Sequence, residues 1–232
     1  MSLSNPFQGY LEVQQEIKDI AKACGREAED IRLVVVSKGQ TIEQMKEVYR
    51  AGGRHFGESR IQEALEKIPL LPADIEWHFI GKVQSNKAKK ILTFFQWIHS
   101  IDTVELAEKI AALSQECGFK PSVLLQVNIS GEATKQGLSP DEWEAHVDTM
   151  SQHPFLHLEG LMTMAPLTED HEVIRSCFKQ LRLFKDKLQQ RFKNPSLFCQ
   201  LSMGMSQDYK IAIQEGATLL RIGTVIFGQR SN

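Results

Sequence analysis

The stretch "LSMGMSQDYKIAIQEGATLLRIGT", residues 201–224, predicts a strand, a helix and a second strand in close succession. Two short apolar runs, 197–203 and 218–223, flank a helical segment, 206–215, whose first residue Ser206 would act as its N-cap. Short continuous apolar runs are typical of parallel strands that are buried on both faces. The stretch therefore indicates one strand–helix–strand unit of an α/β fold.

The same alternation continues along the whole chain. The strand candidates are 31–37, 54–58, 75–81, 96–101, 122–129, 157–164, 197–203 and 218–223. Helical patterns occupy 7–24, 41–51, 103–117, 171–192 and 206–215. Eight such units predict a single (β/α)₈ TIM-type barrel over residues 1–232, with an extra N-terminal helix that covers the gap after the last strand. A doubly wound open sheet is the alternative, but "SKGQ" after the first strand is not a G-x-G-x-x-G turn.

Composition excludes several classes of protein. The chain has 232 residues, 42% hydrophobic and 24% charged, with a formal net charge of -2. These values suit a globular protein and not a nucleic-acid binder. The four cysteines form no C-x-x-C pair and are interpreted as reduced, mostly buried thiols. We see no signal peptide and no apolar run long enough to span a membrane, so we expect a cytoplasmic protein.

A phosphate site is predicted where strands seven and eight end. In barrels of this type the active site lies at the carboxyl ends of the strands, and the last two loops often bind phosphate. Glycines let a ligand approach the backbone, and hydroxyls add hydrogen-bond donors. The residues of this kind are Ser202, Gly204, Ser206, Gly223 and Thr224. The alternative is that both segments are only tight turns and helix caps.

Lys38 ends the first strand and would point into the mouth of the same barrel. A buried lysine amine is more easily neutral, and a neutral amine can attack an aldehyde to form a Schiff base. An amine beside a phosphate pocket suggests a ligand with both groups, such as pyridoxal phosphate or a sugar phosphate with a carbonyl. The alternative is an ordinary lysine exposed to solvent.

Arg221 helps to choose between these ligands. A guanidinium against a pyridine nitrogen would donate a hydrogen bond and keep that nitrogen unprotonated, which weakens the ring as an electron sink. The alternative is a core arginine paired with a carboxylate such as Glu159. The histidines show no H-E-x-x-H pattern, so no metal is expected, and His78 and His99 are interpreted as core residues with satisfied hydrogen bonds.

The sequence resembles the pyridoxal 5′-phosphate homeostasis protein family, stand-alone proteins similar to the N-terminal barrel of alanine racemase. The matching segments include "VVVSKGQT", "HFGESRIQEA", "WHFIGKVQSNK", "EGLMTMAP", "LSMGMSQDY" and "LRIGTVIFG". The resemblance implies pyridoxal 5′-phosphate on Lys38, Arg221 at the pyridine nitrogen and Met203 against the ring. It assigns the phosphate to the region of Ser202, Gly204, Ser206, Gly223 and Thr224. Two residues depart from the family pattern: Ser59, near the cofactor, replaces the usual asparagine, and Lys82 replaces the usual histidine.

Three functions compete on this basis. The first is a monomeric carrier that buffers pyridoxal phosphate or delivers it to apo-enzymes, the second an amino-acid racemase of weak activity, and the third a Schiff-base aldolase. Racemisation needs a base on each face of the substrate carbon, and in alanine racemase the second base is a tyrosine of a partner's C-terminal domain. This chain offers Tyr10, Tyr49 and Tyr209, and we expect no second domain. The carrier is favoured.

Overall fold

Eight parallel strands close into a barrel in the computed structural model, which describes residues 5–132, 134–194 and 196–229. The strands are β1 (Arg32–Val36), β2 (His55–Glu58), β3 (Glu76–Phe79), β4 (Trp97–Ile101), β5 (Ser122–Gln126), β6 (His157–Met162), β7 (Gln200–Ser202) and β8 (Leu219–Ile222). Each strand pairs with the next, and β8 pairs with β1 through Val34 opposite Arg221 and Val35 opposite Ile222. The predicted (β/α)₈ barrel is confirmed. Its extent as one domain over 1–232 stays a prediction.

Helices surround the barrel. They are α1 (Pro6–Ala23), α2 (Ile42–Arg50), α3 (Ile61–Lys67), α4 (Ala88–Phe94), α5 (Val104–Cys117), α6 (Pro140–Glu144), α7 (Val147–Ser151), α8 (His171–Phe192), α9 (Tyr209–Gln214) and α10 (Thr224–Phe227). Side chains cap several of them at their first turn: the Asn5 side chain accepts from Phe7 N–H, and Thr41 and Ser139 form capping boxes. Across the described ranges, no helix combines the length and the apolar character needed to cross a bilayer.

The N-terminal helix α1 fills the position that a long eighth helix would occupy. It packs against α2, α9 and the single turn of α10. The approach to α10 is close, since a Cβ on Gly9 would lie 2.6 Å from the carbonyl oxygen of Ile226. Glycine is therefore required there. The predicted extra helix is confirmed, including its role as a cover.

Two predicted boundaries near the carboxyl terminus are wrong. The strand expected from 197 begins only at Gln200, because Phe198 has a φ of 53° and turns the chain. The helix expected from Ser206 begins at Tyr209, so Ser206 is not its N-cap. The carboxylate of Asp208 instead accepts from the N–H of Met205 at 2.5 Å, which holds the turn between β7 and α9.

The cysteines are less buried than the sequence analysis expected. Cys24 and Cys117 are exposed, Cys199 is half-buried and Cys177 is buried. Burial raises the pKa of Cys177 to about 11, so this thiol is protonated at neutral pH. All four are free thiols.

Polar residues share the interior of the barrel with apolar ones. A small cluster of buried apolar residues, made only of strand residues, lies apart from the main core: Val34, Trp97, Leu124, Met162 and Leu219. His78, His99, Ser202 and Arg221 are buried beside it. His78 Nδ1 lies 2.9 Å from His99 Nε2, and His99 Nδ1 lies 2.8 Å from Ser202 Oγ. The interpretation of His78 and His99 as hydrogen-bonded core residues is confirmed.

Stability should fall in mild acid because of these two histidines. Burial lowers the pKa of His78 and His99 well below the ordinary value. Below a pH of about 6.5 the unfolded chain therefore takes up protons that the folded barrel does not. Each of the two should lower the free energy of unfolding by about 2 kcal/mol at pH 5, relative to pH 8. Urea unfolding at a series of pH values measures this loss.

The variant His99→Asn provides the control. It removes one titrating group, so the difference in unfolding free energy between pH 8 and pH 5 should shrink by about 2 kcal/mol. Wild-type and variant curves that run parallel over this range would show that His99 takes up its proton in the folded protein as readily as in the unfolded chain.

Candidate functional site

A cavity of about 910 Å³ opens at the carboxyl ends of the strands. It is lined by residues that follow β1, β2, β6, β7 and β8, as the fold predicts for an active site. Six of the predicted site residues line it: Lys38, Ser59, Ser206, Arg221, Gly223 and Thr224. A cavity of this size holds a small cofactor with room to spare.

Three predicted site residues do not line the cavity. Ser202 is fully buried below it, where its hydroxyl contacts Arg221. Met203 is also fully buried. Gly204 has a φ of 93°, and a Cβ there would lie 2.6 Å from the Cβ of Ala212, so this glycine shapes the turn after β7. Lys82, the departure from the family pattern, is exposed and does not line the cavity either.

Arg221 is buried at the floor of the cavity, with 5% of its surface exposed. Its Nη1 donates to Ser202 Oγ at 2.5 Å and its Nη2 to the carbonyl oxygen of Thr163 at 3.0 Å. Burial lowers its pKa to about 10, and the charge of Asp208 opposes this shift, so Arg221 remains a cation at neutral pH. The suggested pairing with Glu159 is wrong, because that carboxylate contacts Ser122, His157 and Cys199.

The closure of the barrel brings Lys38 to the residues after β8. Val35 of β1 is opposite Ile222 of β8, so Lys38 and Thr224 extend from neighbouring strand ends. A Cβ on Gly223 would lie 2.9 Å from the carbonyl oxygen of Val36. Only glycine allows the chain after β8 to pass this close to β1. The amine and the hydroxyl therefore face one cavity.

A buried ion cluster, formed by Glu58, Glu63 and Lys67, holds the backbone on both sides of Lys38. Lys67 Nζ donates to the carbonyl oxygen of Ser37 at 2.7 Å, to Glu58 Oε1 at 2.8 Å and to Glu63 Oε1 at 2.6 Å. The N–H of Gly39 donates to Glu63 Oε1. Both neighbours of Lys38 are thus fixed by side chains of α3 and β2.

The electrostatics of this cluster make it sensitive to loss of one member. Burial raises the pKa of Glu58, while hydrogen bonds from Lys67 and Ser37 oppose that shift. Sequence analysis missed the cluster. Glu63 and Lys67 stand four residues apart on one helix face, which was a visible signal. The hydrogen bond from Lys67 to the Ser37 carbonyl was not visible, because it depends on how α3 packs beside the end of β1.

The loop after β6 forms one wall of the cavity. This wall was largely overlooked in the sequence analysis. Met164 to Thr168 line it, together with Val36, Gln40, Ile80 and Asp208. Leu167 is 94% exposed, so this wall includes an apolar side chain in solvent. Two signals for this wall were present in the sequence, the position of Met164 at a strand end and the segment "EGLMTMAP" that matches the family.

The comparisons with known proteins fit this arrangement. The family described as alanine racemase, N-terminal domain, matches residues 12–231. The chain belongs to this family. It is similar to the pyridoxal phosphate homeostasis protein of Pseudomonas aeruginosa, with 38% identity over 230 residues that cover 98% of this chain and 97% of that protein. The protein of the same name from Aquifex aeolicus shares 39% identity over 218 residues, covering 92% of this chain and 95% of its own.

Solved structures agree. PipY of Synechococcus elongatus is 39% identical and has been solved without and with pyridoxal phosphate, with TM-scores of 0.82 and 0.80 over 91% of this chain. These matches cover 99% and 100% of the PipY chain. An alanine racemase from Clostridium difficile, at 17% identity and a TM-score of 0.72, covers 96% of this chain and 57% of its own. That likeness shows the shared barrel fold alone.

Removal of the central cation of the cluster should destabilise the protein strongly. The substitution Lys67→Met leaves Glu58 buried without its counter-ion and should cost about 3–5 kcal/mol of unfolding free energy. The double variant Glu58→Gln with Lys67→Met should recover part of that loss, because it removes the uncompensated charge. Urea unfolding measures both.

The matched control is Lys89→Met, which changes an exposed lysine that pairs with Glu116 at the surface. It should change the unfolding free energy by less than about 1 kcal/mol. Equal losses for Lys67→Met and Lys89→Met would contradict the role given to the buried cluster.

Proposed function

We propose that this protein binds pyridoxal 5′-phosphate as a Schiff base on Lys38 and acts in intracellular homeostasis of that cofactor, by buffering or delivery. The observation that carries the proposal is the convergence of an amine, a guanidinium and two hydroxyls on one cavity, from Lys38, Arg221, Ser206 and Thr224. Relatives at 38% and 39% identity over nearly the whole chain carry the name pyridoxal phosphate homeostasis protein.

The donor set fits the three functional parts of this cofactor. The Lys38 amine suits an aldehyde, and the hydroxyls of Ser206 and Thr224, with the backbone at Gly223, suit a phosphate. Arg221 presents N–H groups that suit a pyridine lone pair. A sugar phosphate with a carbonyl would use the first two parts and would offer Arg221 a hydroxyl oxygen in place of a pyridine nitrogen.

Arg221 also limits how strongly the site can activate the bound cofactor. When bound, the cofactor supplies an aldehyde for the lysine and a ring that can withdraw electrons. With a pKa of about 10, Arg221 keeps its proton at neutral pH and would donate a hydrogen bond to the ring nitrogen. An unprotonated pyridine withdraws electrons weakly. We therefore expect the site to bind the cofactor without activating it strongly.

The tyrosines support the carrier over the racemase. The Tyr209 hydroxyl donates to Glu16, Tyr49 donates to Asp74, and Tyr10 accepts from Gln14. None of the three lines the cavity in the part of the chain that the structure describes. A second base of the racemase type has no candidate among them. We extend the proposal to a cytoplasmic monomer that passes its cofactor to apo-enzymes.

An absorbance spectrum with added pyridoxal phosphate tests the proposal directly. A band at about 410–430 nm is expected for the protonated Schiff base, and borohydride should fix the label on Lys38. The variant Lys38→Ala should show no such band. Absence of the band in the wild type would refute the cofactor assignment.

The variant Lys135→Ala is the matched control, because Lys135 is the other lysine among the residues that line the cavity. It should keep the band, with borohydride still labelling Lys38. A band that is lost in Lys135→Ala and kept in Lys38→Ala would assign the Schiff base to Lys135 and contradict the proposal.

A racemisation assay separates carrier from racemase. The loaded protein should interconvert the alanine enantiomers about 10²–10⁴-fold more slowly than a dedicated racemase, because general base catalysis on the second face contributes about that factor. Chiral chromatography over hours measures the rate. Turnover that is fast and lost in Tyr209→Phe would instead identify Tyr209 as a base.

A further inference from the structure

A row of hydrogen-bonded side chains runs through the barrel from the cavity to its opposite end. Arg221 Nη1 contacts Ser202 Oγ at 2.5 Å, and Ser202 Oγ lies 2.8 Å from His99 Nδ1. His99 Nε2 lies 2.9 Å from His78 Nδ1, and His78 Nε2 lies 3.2 Å from His55 Nδ1. We call these five residues the histidine row. His55, at the start of β2, is only half-buried and ends the row.

The two central imidazoles are neutral, so each carries one proton. Burial lowers the pKa of His78 and of His99, and the charge of Arg221 lowers that of His99 further. A neutral imidazole donates from one ring nitrogen and accepts at the other. The direction of every hydrogen bond in the row is therefore decided once one of them is fixed.

Arg221 fixes that direction. A guanidinium has only donors, so Ser202 Oγ accepts from it. The single hydroxyl proton then goes to His99 Nδ1, the other partner of Ser202 Oγ among the described residues. An imidazole that accepts at Nδ1 carries its proton at Nε2. His99 therefore donates to His78, and His78 donates to His55 by the same rule.

The reverse direction would leave a buried group unsatisfied. If His99 donated from Nδ1, Ser202 Oγ would accept two hydrogen bonds and its own proton would point at no acceptor in the described part of the chain. A buried polar group without a partner is costly. The arrangement with Ser202 as donor to His99 is the satisfied one.

We propose that His99 is a positioning residue for Arg221. By taking the only proton of Ser202, His99 keeps the lone pairs of that oxygen turned toward the guanidinium, and so fixes the N–H groups that Arg221 presents to the cavity. The inference rests on the proposed function, in which those N–H groups meet the pyridine nitrogen. His78 holds His99 in the required tautomer.

The direction of the hydrogen bonds in the histidine row also argues against a metal at its far end, beside His55. The ligand atoms of His55, Glu76 and His78 lie within 4.8 Å of one another, close enough for one cation. A metal would need a lone pair on His78 Nε2, yet the row places a proton there. Trp97 Nε1 also donates to Glu76 Oε2 at 3.1 Å. This cluster serves as the end of the row.

The first test needs no cofactor. Long-range ¹H–¹⁵N correlation spectra of the histidine-labelled protein at pH 7 report the tautomer of each imidazole. His99 and His78 should both be neutral and protonated at Nε2. A proton at Nδ1 of His99 would overturn the inference, whatever the protein does with pyridoxal phosphate. Failure of the Schiff-base experiment would leave this result unaffected, so the two failures are distinguishable.

The second test uses pyridoxal phosphate labelled with ¹⁵N in the ring, bound to three variants. His99→Gln removes the acceptor at the Nδ1 position, and should bind the cofactor about tenfold or more weakly. Its ring ¹⁵N signal should move toward that of a protonated pyridine. His99→Asn places Oδ1 where Nδ1 stood, so it should restore both the affinity and the signal.

The third variant, Leu124→Ala, removes apolar bulk from the small buried cluster and takes away no hydrogen-bonding group. It should be destabilised yet keep the wild-type ¹⁵N signal. A ring ¹⁵N signal that stays unchanged in His99→Gln, or that shifts equally in Leu124→Ala, would contradict the positioning role. His99 would then contribute only to packing.

Discussion

A permanent positive charge lies inside this barrel, and the polar groups at its centre are arranged around it. Among the described residues, Arg221 has no carboxylate within hydrogen-bonding distance and relies on Ser202 Oγ and the Thr163 carbonyl. A buried cation held only by neutral groups is costly. A carboxylate partner would lower that cost but would also occupy the N–H groups. Neutral acceptors leave Arg221 able to donate to a ligand.

The lysine that follows the neighbouring strand β1 is positioned in a different way. Lys38 itself lies at the rim, and its neighbours Ser37 and Gly39 are fixed by the buried ion cluster of Glu58, Glu63 and Lys67. In that cluster the ammonium group of Lys67 is paired with the carboxylates of both Glu58 and Glu63. One reactive side chain is thus positioned through its backbone and the other through its own hydrogen bonds. Both arrangements restrict motion before any ligand arrives, which reduces the entropic cost of binding.

Much of the fold could be predicted because its signals are local. The apolar runs at 31–37 and 218–223 identify buried strands by themselves, and the fold then places Lys38 and Arg221 at one rim. The direction in which turn residues point has no local signal, because it depends on packing against other parts of the chain. Met203 and Gly204 follow β7 as expected, yet the turn directs them away from the cavity. The histidine row depends on register between strands, which no single segment reveals.

The pairing of β8 with β1 has a consequence for how the protein forms. Those strands come from opposite ends of the chain, and α1 packs against α10 beside them. Contacts between segments that are far apart in the sequence have the largest entropic cost of loop closure, so they form slowly. The cavity lies at this seam. A ligand that binds only to the folded barrel stabilises it by mass action, so the free energy of unfolding should rise with the ligand concentration.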